Sequence, residues 1–104
     1  MNSHILEPFV VFPNVVWEGV YTIGHFSVIG QPFKDGEKIE TRIGNNATIR
    51  SHTVIYAGNR IGNNFQTGHG VMVRELNQIG DNVSIGTHSI VEHHVLIGNG
   101  VRIH

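Results

Sequence analysis

One period dominates this sequence: an Ile or Val recurs at every sixth position, with a single substitution by Thr, from residue 43 to residue 103. Ile and Val number 13 each, against 3 Leu and 2 Ala, and this favours strands because β-branched side chains crowd a helix. A fixed short period is typical of a solenoid, in which each repeat packs only on its neighbours. We call the periodic positions anchors; they are Ile43, Ile49, Ile55, Ile61, Thr67, Val73, Ile79, Ile85, Val91, Ile97 and Ile103.

Between the anchors, the repeat carries residues suited to tight corners. The position after the anchor is Gly in six of ten hexads, and the third position after it is Gly, Asn or His in nine of ten. These residue types tolerate a positive φ best, and Leu76 is the exception. We call this third position the corner position. The pattern predicts short strands joined by turns with a left-handed backbone.

A longer period of three hexads is layered on the first. The segments IGNN, IGNN, IGDN and IGNG begin at residues 43, 61, 79 and 97. Three hexads make one triangular coil, so the chain returns to the same face at every third hexad, and successive coils stack about 4.8 Å apart. We therefore predict an all-β, single-domain parallel β-helix. Asn46, Asn64 and Asn82 should form a stacked column at one corner, and the pair Asn59 and Asn77 an internal hydrogen-bonded ladder.

The N-terminal part has the same period in another phase. The separation between Ile29 and Ile43 is not a multiple of six, and residues 31–41 between them hold 5 of the 15 charged side chains. We expect one domain over the whole chain, with first coils at 11–30, a projecting loop at 31–42 and regular coils at 43–104.

The hexads stop at residue 104 without a capping element. Because solenoids end in a segment that covers the last apolar layer, we expect either a C-terminal truncation or an open end buried by another chain.

Charge and composition exclude several classes of function. A net charge of −1 predicts neither a nucleic-acid footprint nor a membrane-surface patch. With no Cys, disulfides, zinc–thiolate sites and cysteine nucleophiles are excluded. No window approaches a membrane span, and residues 1–14 do not resemble a secretory leader. We expect a cytoplasmic protein that binds neither nucleic acid nor membrane.

The repeat over residues 11–103 resembles that of the hexapeptide-repeat acyltransferase superfamily. The run IGTHSIVEHHVLIGN, residues 85–99, is similar to a segment of bacterial sugar and nucleotide-sugar N-acetyltransferases, which have VDHD where this chain has VEHH. The resemblance implies a left-handed β-helix, against the right-handed rule for parallel crossovers, and a homotrimer. It also implies acetyl-CoA as co-substrate, no metal, and the amino group of a nucleotide-linked sugar as acceptor.

The resemblance places the family's general base on His93, with Glu92 before it and His94 where the family has an acidic residue. An imidazole that titrates near neutrality suits removal of a proton from an amine that attacks a CoA thioester. Glu75 precedes His93 by three hexads, hence by one coil, and like Glu92 can orient the ring or raise its basicity.

His69 is a second candidate for the base. It follows Thr67, the one anchor that is neither Ile nor Val, and Gly68 and Gly70 flank it. The competing interpretation is a surface corner without chemistry. The predicted site thus comprises the catalytic candidates His93, Glu92 and His69 and the substrate-binding candidates His94, Glu75 and Arg74.

Two alternatives stay open beside the acetyltransferase. The spacing of His52, His88 and His93 resembles the zinc ligands of gamma-class carbonic anhydrases, but those ligands occupy the first and second positions after an anchor. His52 and His88 occupy corner positions and would point elsewhere, so we expect no metal. The other alternative is a catalytically incomplete scaffold or fragment that only folds and trimerises.

Overall fold

The structure, a computed structural model, describes residues 8–34 and 38–104. Residues 1–7 and 35–37 of the predicted domain and loop lie outside the described residues. The described part contains fifteen short strands and no helix. In chain order they are β1 Val10–Val11, β2 Val15–Trp17, β3 Tyr21–Ile23, β4 Val28–Gln31, β5 Thr41–Ile43, β6 Ala47–Ile49, β7 Val54–Tyr56, β8 Arg60–Ile61, β9 Gln66–Thr67, β10 Met72–Val73, β11 Gln78–Ile79, β12 Ser84–Ile85, β13 Ile90–Val91, β14 Leu96–Ile97 and β15 Arg102–Ile103.

The strands form three parallel five-stranded sheets, and every third strand joins the same sheet. Sheet A contains β1, β4, β7, β10 and β13; sheet B contains β2, β5, β8, β11 and β14; sheet C contains β3, β6, β9, β12 and β15. Ile79 pairs in register with Ile61 on one side and Ile97 on the other, so three hexads make one coil. The predicted all-β parallel β-helix is confirmed. Its left-handedness stays a prediction.

The anchors point into the prism and form its core. Ten of the eleven are buried, from Ile43 at 0% exposed to Ile97 at 7%, and Ile103 is half-buried. Phe65, in the fourth position after an anchor, is also fully buried. Because strand side chains alternate between faces, the residue before each anchor points outward.

Every corner position from 46 to 100 has a positive φ, between 58° and 85°. The prediction from residue type is therefore confirmed. Leu76 also adopts this conformation, at φ 61°, although a left-handed backbone costs a residue with a Cβ about 1–2 kcal/mol. At the corner between sheets B and C, Asn46 Nδ2 donates to Asn64 Oδ1 at 3.0 Å and Asn64 Nδ2 donates to Asn82 Oδ1 at 2.9 Å. The predicted asparagine column is confirmed.

The phase shift is an insertion inside the second coil. Trp17 pairs with Ile43 and Ile29 pairs with Ile55, so the chain takes more than three hexads to return to the same face here. The extra residues lie between the end of β4 and the start of β5. Val11, at the start of the other phase, pairs with Ile29 in sheet A. Both phases therefore belong to one continuous prism.

The prism has three edges, where the chain turns from one sheet to the next. We call them edge 1 from sheet A to sheet B, edge 2 from B to C, and edge 3 from C to A. Side chains in the first three positions after an anchor stand along these edges, and residues one coil apart form columns. Residues 8–34 and 38–104 include no helix that is long and apolar enough to cross a membrane.

Candidate functional site

His93 and His94 stand side by side on edge 1, in the turn between β13 and β14. Both are exposed, because the buried anchor Val91 leaves the following residues outside the core. Their Nδ1 atoms lie 2.7 Å apart and their rings meet edge to face, at 85°. One of the two nitrogens must donate and the other accept. When His93 Nδ1 donates, its Nε2 keeps the lone pair that a general base needs.

Arg74 and Glu75 occupy the same edge one coil below. Arg74 Nε donates to Glu75 Oε1 at 3.0 Å, and Arg74 Nη2 lies 3.5 Å from Glu75 Oε2. The guanidinium carbon of Arg74 is 5.2 Å from the centre of the Tyr56 ring, one further coil below. Only 13% of the Glu75 side chain is exposed. Arg74 is therefore held between Glu75 and Tyr56, and Glu75 lies one coil beneath His93.

The surroundings of Glu75 favour the charged form of its carboxyl. Burial raises its pKa, but hydrogen bonds from its own backbone N–H and from Arg74, with the charges of Arg74 and His93, together lower it by more. The pKa of Glu75 therefore lies below its ordinary value, and the group is a carboxylate at neutral pH. The charge of His93 contributes to this lowering, which places the Glu75 carboxylate close to the His93 ring.

A consequence for stability can be measured. Because the folded protein lowers the pKa of Glu75, ionised Glu75 stabilises the fold above the ordinary carboxyl pKa of roughly 4, and this stability is lost as the pH falls through the folded value. We expect the free energy of unfolding of Glu75→Gln to fall less than that of the wild type between neutral and acid pH. Urea unfolding of both proteins at several pH values measures these free energies of unfolding. Glu92→Gln, an exposed carboxylate one coil above, is the matched control. Parallel pH profiles for Glu75→Gln and the wild type would contradict the account.

Five of the six predicted site residues lie together on edge 1 and the sixth does not. Glu92 is exposed and stands one coil above Arg74, in the column of Tyr56 and Arg74. Among the described residues, no ion pair holds Glu92, whereas Arg74 holds Glu75. The turns that present Arg74, Glu75, Glu92, His93 and His94 follow β10 and β13 of sheet A.

His69 lies on edge 3, between β9 and β10. Its Nδ1 is 2.8 Å from Ser51 Oγ, and its backbone N–H donates to Thr87 Oγ1 at 3.1 Å. The next coil covers the glycines that flank it: a Cβ on Gly68 would lie 2.3 Å from Thr87 Oγ1, and one on Gly70 would lie 2.5 Å from a carbon of the His88 ring. These glycines serve close coil packing, while the His69 ring itself is exposed.

The three histidines whose spacing resembles a zinc triad lie on two different edges. His52 and His88 lie in one column of edge 3, whereas His93 lies on edge 1. His52 packs 5.2 Å from the Phe26 ring. Within residues 8–34 and 38–104, no group of three His, Asp or Glu side chains is placed to hold a metal ion.

A buried asparagine ladder supports edge 1 from inside, as predicted. Asn59 Nδ2 donates to the carbonyls of Tyr56 and Arg74, both at 2.7 Å. Asn59 Oδ1 accepts from the backbone N–H of Asn77 at 3.3 Å, and Asn77 Oδ1 accepts from that of Val95 at 2.7 Å. The ladder satisfies backbone groups that the turns would otherwise bury unpaired, and it fixes the turns that carry Glu75 and His93.

An open groove of about 470 Å³ runs along the outer face of sheet B. It is lined by Leu96, which follows His94 closely in the chain, and by Arg60 and Gln78 of the coils below. Sequence reasoning did not predict this groove, or the part that Tyr56 plays beneath Arg74. The only signal for Tyr56 was its separation from Arg74 by three hexads, which is one coil.

No family model and no curated protein sequence matches the chain. The resemblance to hexapeptide-repeat acyltransferases therefore rests on the repeat and on the run at residues 85–99.

Proposed function

We propose that this protein is an acetyl-CoA-dependent acyltransferase that acts on the amino group of a nucleotide-linked sugar. The observation that carries the proposal is His93, whose Nδ1 is held 2.7 Å from His94 while the Glu75 carboxylate lies one coil below. The arrangement gives an exposed imidazole a fixed orientation and a negative charge that stabilises its protonated form. Acetyl-CoA is a co-substrate in this scheme, and the reaction as written uses no metal. A cytoplasmic location is part of the proposal.

In the proposed reaction, His93 accepts one proton and releases it again in each turnover. Nε2 of His93 takes the proton from the sugar amine as the nitrogen bonds to the thioester carbonyl carbon. Glu75 and the hydrogen bond with His94 stabilise the resulting imidazolium. When the carbon–sulfur bond breaks, the imidazolium returns the proton to the departing thiolate of CoA. Base and acid are thus the same group, and no proton has to come from solvent.

Two neighbouring features suit substrates of this kind. Arg74, held over Tyr56, and His94 offer cationic or hydrogen-bonding groups to an anionic acceptor close to His93. The groove on sheet B is lined by residues of several coils, from Leu96 near edge 1 to Arg60 and Arg42. We propose that acetyl-CoA approaches His93 along this groove.

We further propose that three copies of the chain assemble through sheet A. The outward residues of this sheet are apolar in all five strands, whereas those of sheet C are all polar. Edge 1 with Glu75 and Glu92 borders one side of sheet A, and the histidines of edge 3 border the other. A contact between these two different edges of identical chains is heterologous, and such contacts can close into a ring of three. The apolar column consists of Val10, Val28, Val54, Met72 and Ile90.

Met72→Glu tests the assembly, because it places a charge in the middle of the apolar column. We expect the wild type to sediment as a trimer at micromolar concentration and Met72→Glu as a monomer. Gln66→Glu, an outward residue of sheet C, is the matched control and should remain trimeric. A monomeric wild type, or a trimeric Met72→Glu, would contradict the assignment of sheet A.

The proposed activity is tested by release of free CoA thiol from acetyl-CoA in the presence of amino sugars linked to different nucleoside diphosphates. We expect release that depends on the amino sugar and an acetylated product of matching amount. Binding of acetyl-CoA by calorimetry gives a second readout. A folded protein that neither binds acetyl-CoA nor acetylates any amino sugar would favour the scaffold alternative and overturn the proposal.

A further inference from the structure

A second concavity lies on edge 1, between the turn that joins β1 to β2 and the described residues Pro32, Lys38 and Ile39. It encloses about 240 Å³, less than a pocket for a whole drug-sized ligand, and therefore suits one ring or a similar part of a larger molecule. We call it the loop pocket, and the residues that define it are Phe12, Asn14, Gly30, Lys38, Ile39 and Ala57.

The floor of the loop pocket is open because two positions carry almost no side chain. Gly30 has φ +85°, and a Cβ there would lie 2.5 Å from a methyl carbon of Val15. Ala57 belongs to the column that continues as Glu75 and His93 in the next two coils. The small side chain of Ala57 lines the pocket, whereas the column carries larger side chains at Glu75 and His93.

One wall of the loop pocket is held by a strained residue. Leu76 keeps a left-handed backbone that Asn or Gly would adopt at lower cost. Its side chain reaches within 2.7 Å of the point where a Cβ on Gly58 would stand, and Ile39 reaches within 3.2 Å of the same point. Leu76 and Ile39 thus fill the space over Gly58 together. Such strain persists where the surroundings fix it, and here the Leu76 side chain packs into the space over Gly58 beside Ile39.

The chemistry of the walls selects a class of ligand. Phe12 and Ile39 give the lining apolar surface on which a flat ring can pack, and the side-chain amide of Asn14 offers a donor and an acceptor. Lys38 adds a positive charge at the loop side. A flat heteroaromatic ring that carries an anionic group matches all of these features.

We infer that the loop pocket binds the nucleobase of the acceptor, an inference that rests on the proposed function. Ala57 lies two coils below His93, which is about 10 Å along the edge. Arg74 lies between them, over Tyr56. One nucleotide-linked sugar can therefore place its base in the loop pocket, its diphosphate along Lys38 and Arg74, and its amino group at His93.

Calorimetry on the full chain tests this, with the diphosphates of uridine, thymidine, cytidine, adenosine and guanosine as probes and inorganic pyrophosphate as the probe for charge alone. We expect at least one nucleoside diphosphate to bind about tenfold or more tightly than pyrophosphate. Ala57→Leu fills the floor and should weaken that nucleotide about tenfold or more. Asn14→Leu, at an exposed position that does not threaten folding, should weaken it as well. Gln66→Leu on sheet C is the matched control and should leave its affinity unchanged.

Equal affinity for pyrophosphate and for every nucleotide would overturn the inference, as would wild-type nucleotide affinity in both pocket variants. Nucleotide binding without any acetyl transfer would reject the proposed function and keep the loop pocket. Acetyl transfer that proceeds equally well on an amino sugar without a nucleotide, and is unchanged in Asn14→Leu, would keep the function and reject the loop pocket.

Discussion

Ile79→Asp is expected to abolish cooperative folding. Ile79 is 4% exposed and sits in β11, the strand that pairs with β8 on one side and β14 on the other in sheet B. The substitution forfeits about 1.5–3 kcal/mol of apolar burial. It also places an unpaired carboxylate in the core, at a cost of several kcal/mol more. A domain of this size has roughly 5–15 kcal/mol of total stability, so we expect an unfolded chain.

Far-ultraviolet circular dichroism and thermal unfolding measure this result. Gln78→Asp is the matched control, because Gln78 is the exposed neighbour of Ile79 in the same strand and points away from the core. We expect it to cost less than about 1 kcal/mol. If Ile79→Asp unfolded cooperatively within that margin of the wild type, the side chain of Ile79 could not lie inside the prism.

His93→Asn is expected to reduce kcat for acetyl transfer by about 10²–10⁴, the usual contribution of a general base. The imidazole at this position is exposed and lies outside the core, so its loss should leave stability nearly unchanged. Asn keeps a polar side chain beside His94 but cannot take a proton at neutral pH. The affinity for acetyl-CoA, measured by calorimetry, should stay close to that of the wild type, which separates a lost base from a lost binding site.

His25→Asn provides the control for removal of an exposed imidazole as such. His25 lies on edge 3 in the first turn between sheets C and A, away from edge 1. We expect its kcat to remain within about twofold of the wild type. A loss of acetyl-CoA binding in His93→Asn that matches the loss of rate would instead assign His93 to substrate binding.

Much of the fold could be predicted from the sequence, because each hexad repeats the same pattern of inward-facing and turn residues. Each anchor specifies an inward side chain, and each corner position specifies a positive φ, so even Leu76, the wrong residue type, follows its neighbours into that conformation. The ladder of Asn59 and Asn77 was also predictable, because buried polar side chains need hydrogen-bond partners. Here the backbone N–H of Asn77 donates to Asn59 Oδ1 in the same column.

The site was harder to predict, because it depends on which edge of the prism carries each side chain and on how neighbouring side chains are oriented there. The six-residue period shows neither of these directly. Four histidines at 69, 88, 93 and 94 look crowded in the sequence, yet the coil distributes them over edges 1 and 3. The hydrogen bond between His93 and His94 depends on side-chain torsions that no repeat encodes. The loop pocket arises from an insertion that breaks the period, and its wall depends on Leu76 reaching across to Gly58.

The most direct test of the central claim, that edge 1 carries the base of an acetyltransferase, compares His93→Asn with His69→Asn in one assay of CoA release from acetyl-CoA with an amino-sugar nucleotide. We predict that kcat/KM falls by at least about 100-fold for His93→Asn and stays within about twofold of the wild type for His69→Asn. The reverse order, with His69→Asn inactive and His93→Asn active, would contradict this assignment and move the base to edge 3, where Ser51 Oγ lies 2.8 Å from His69 Nδ1.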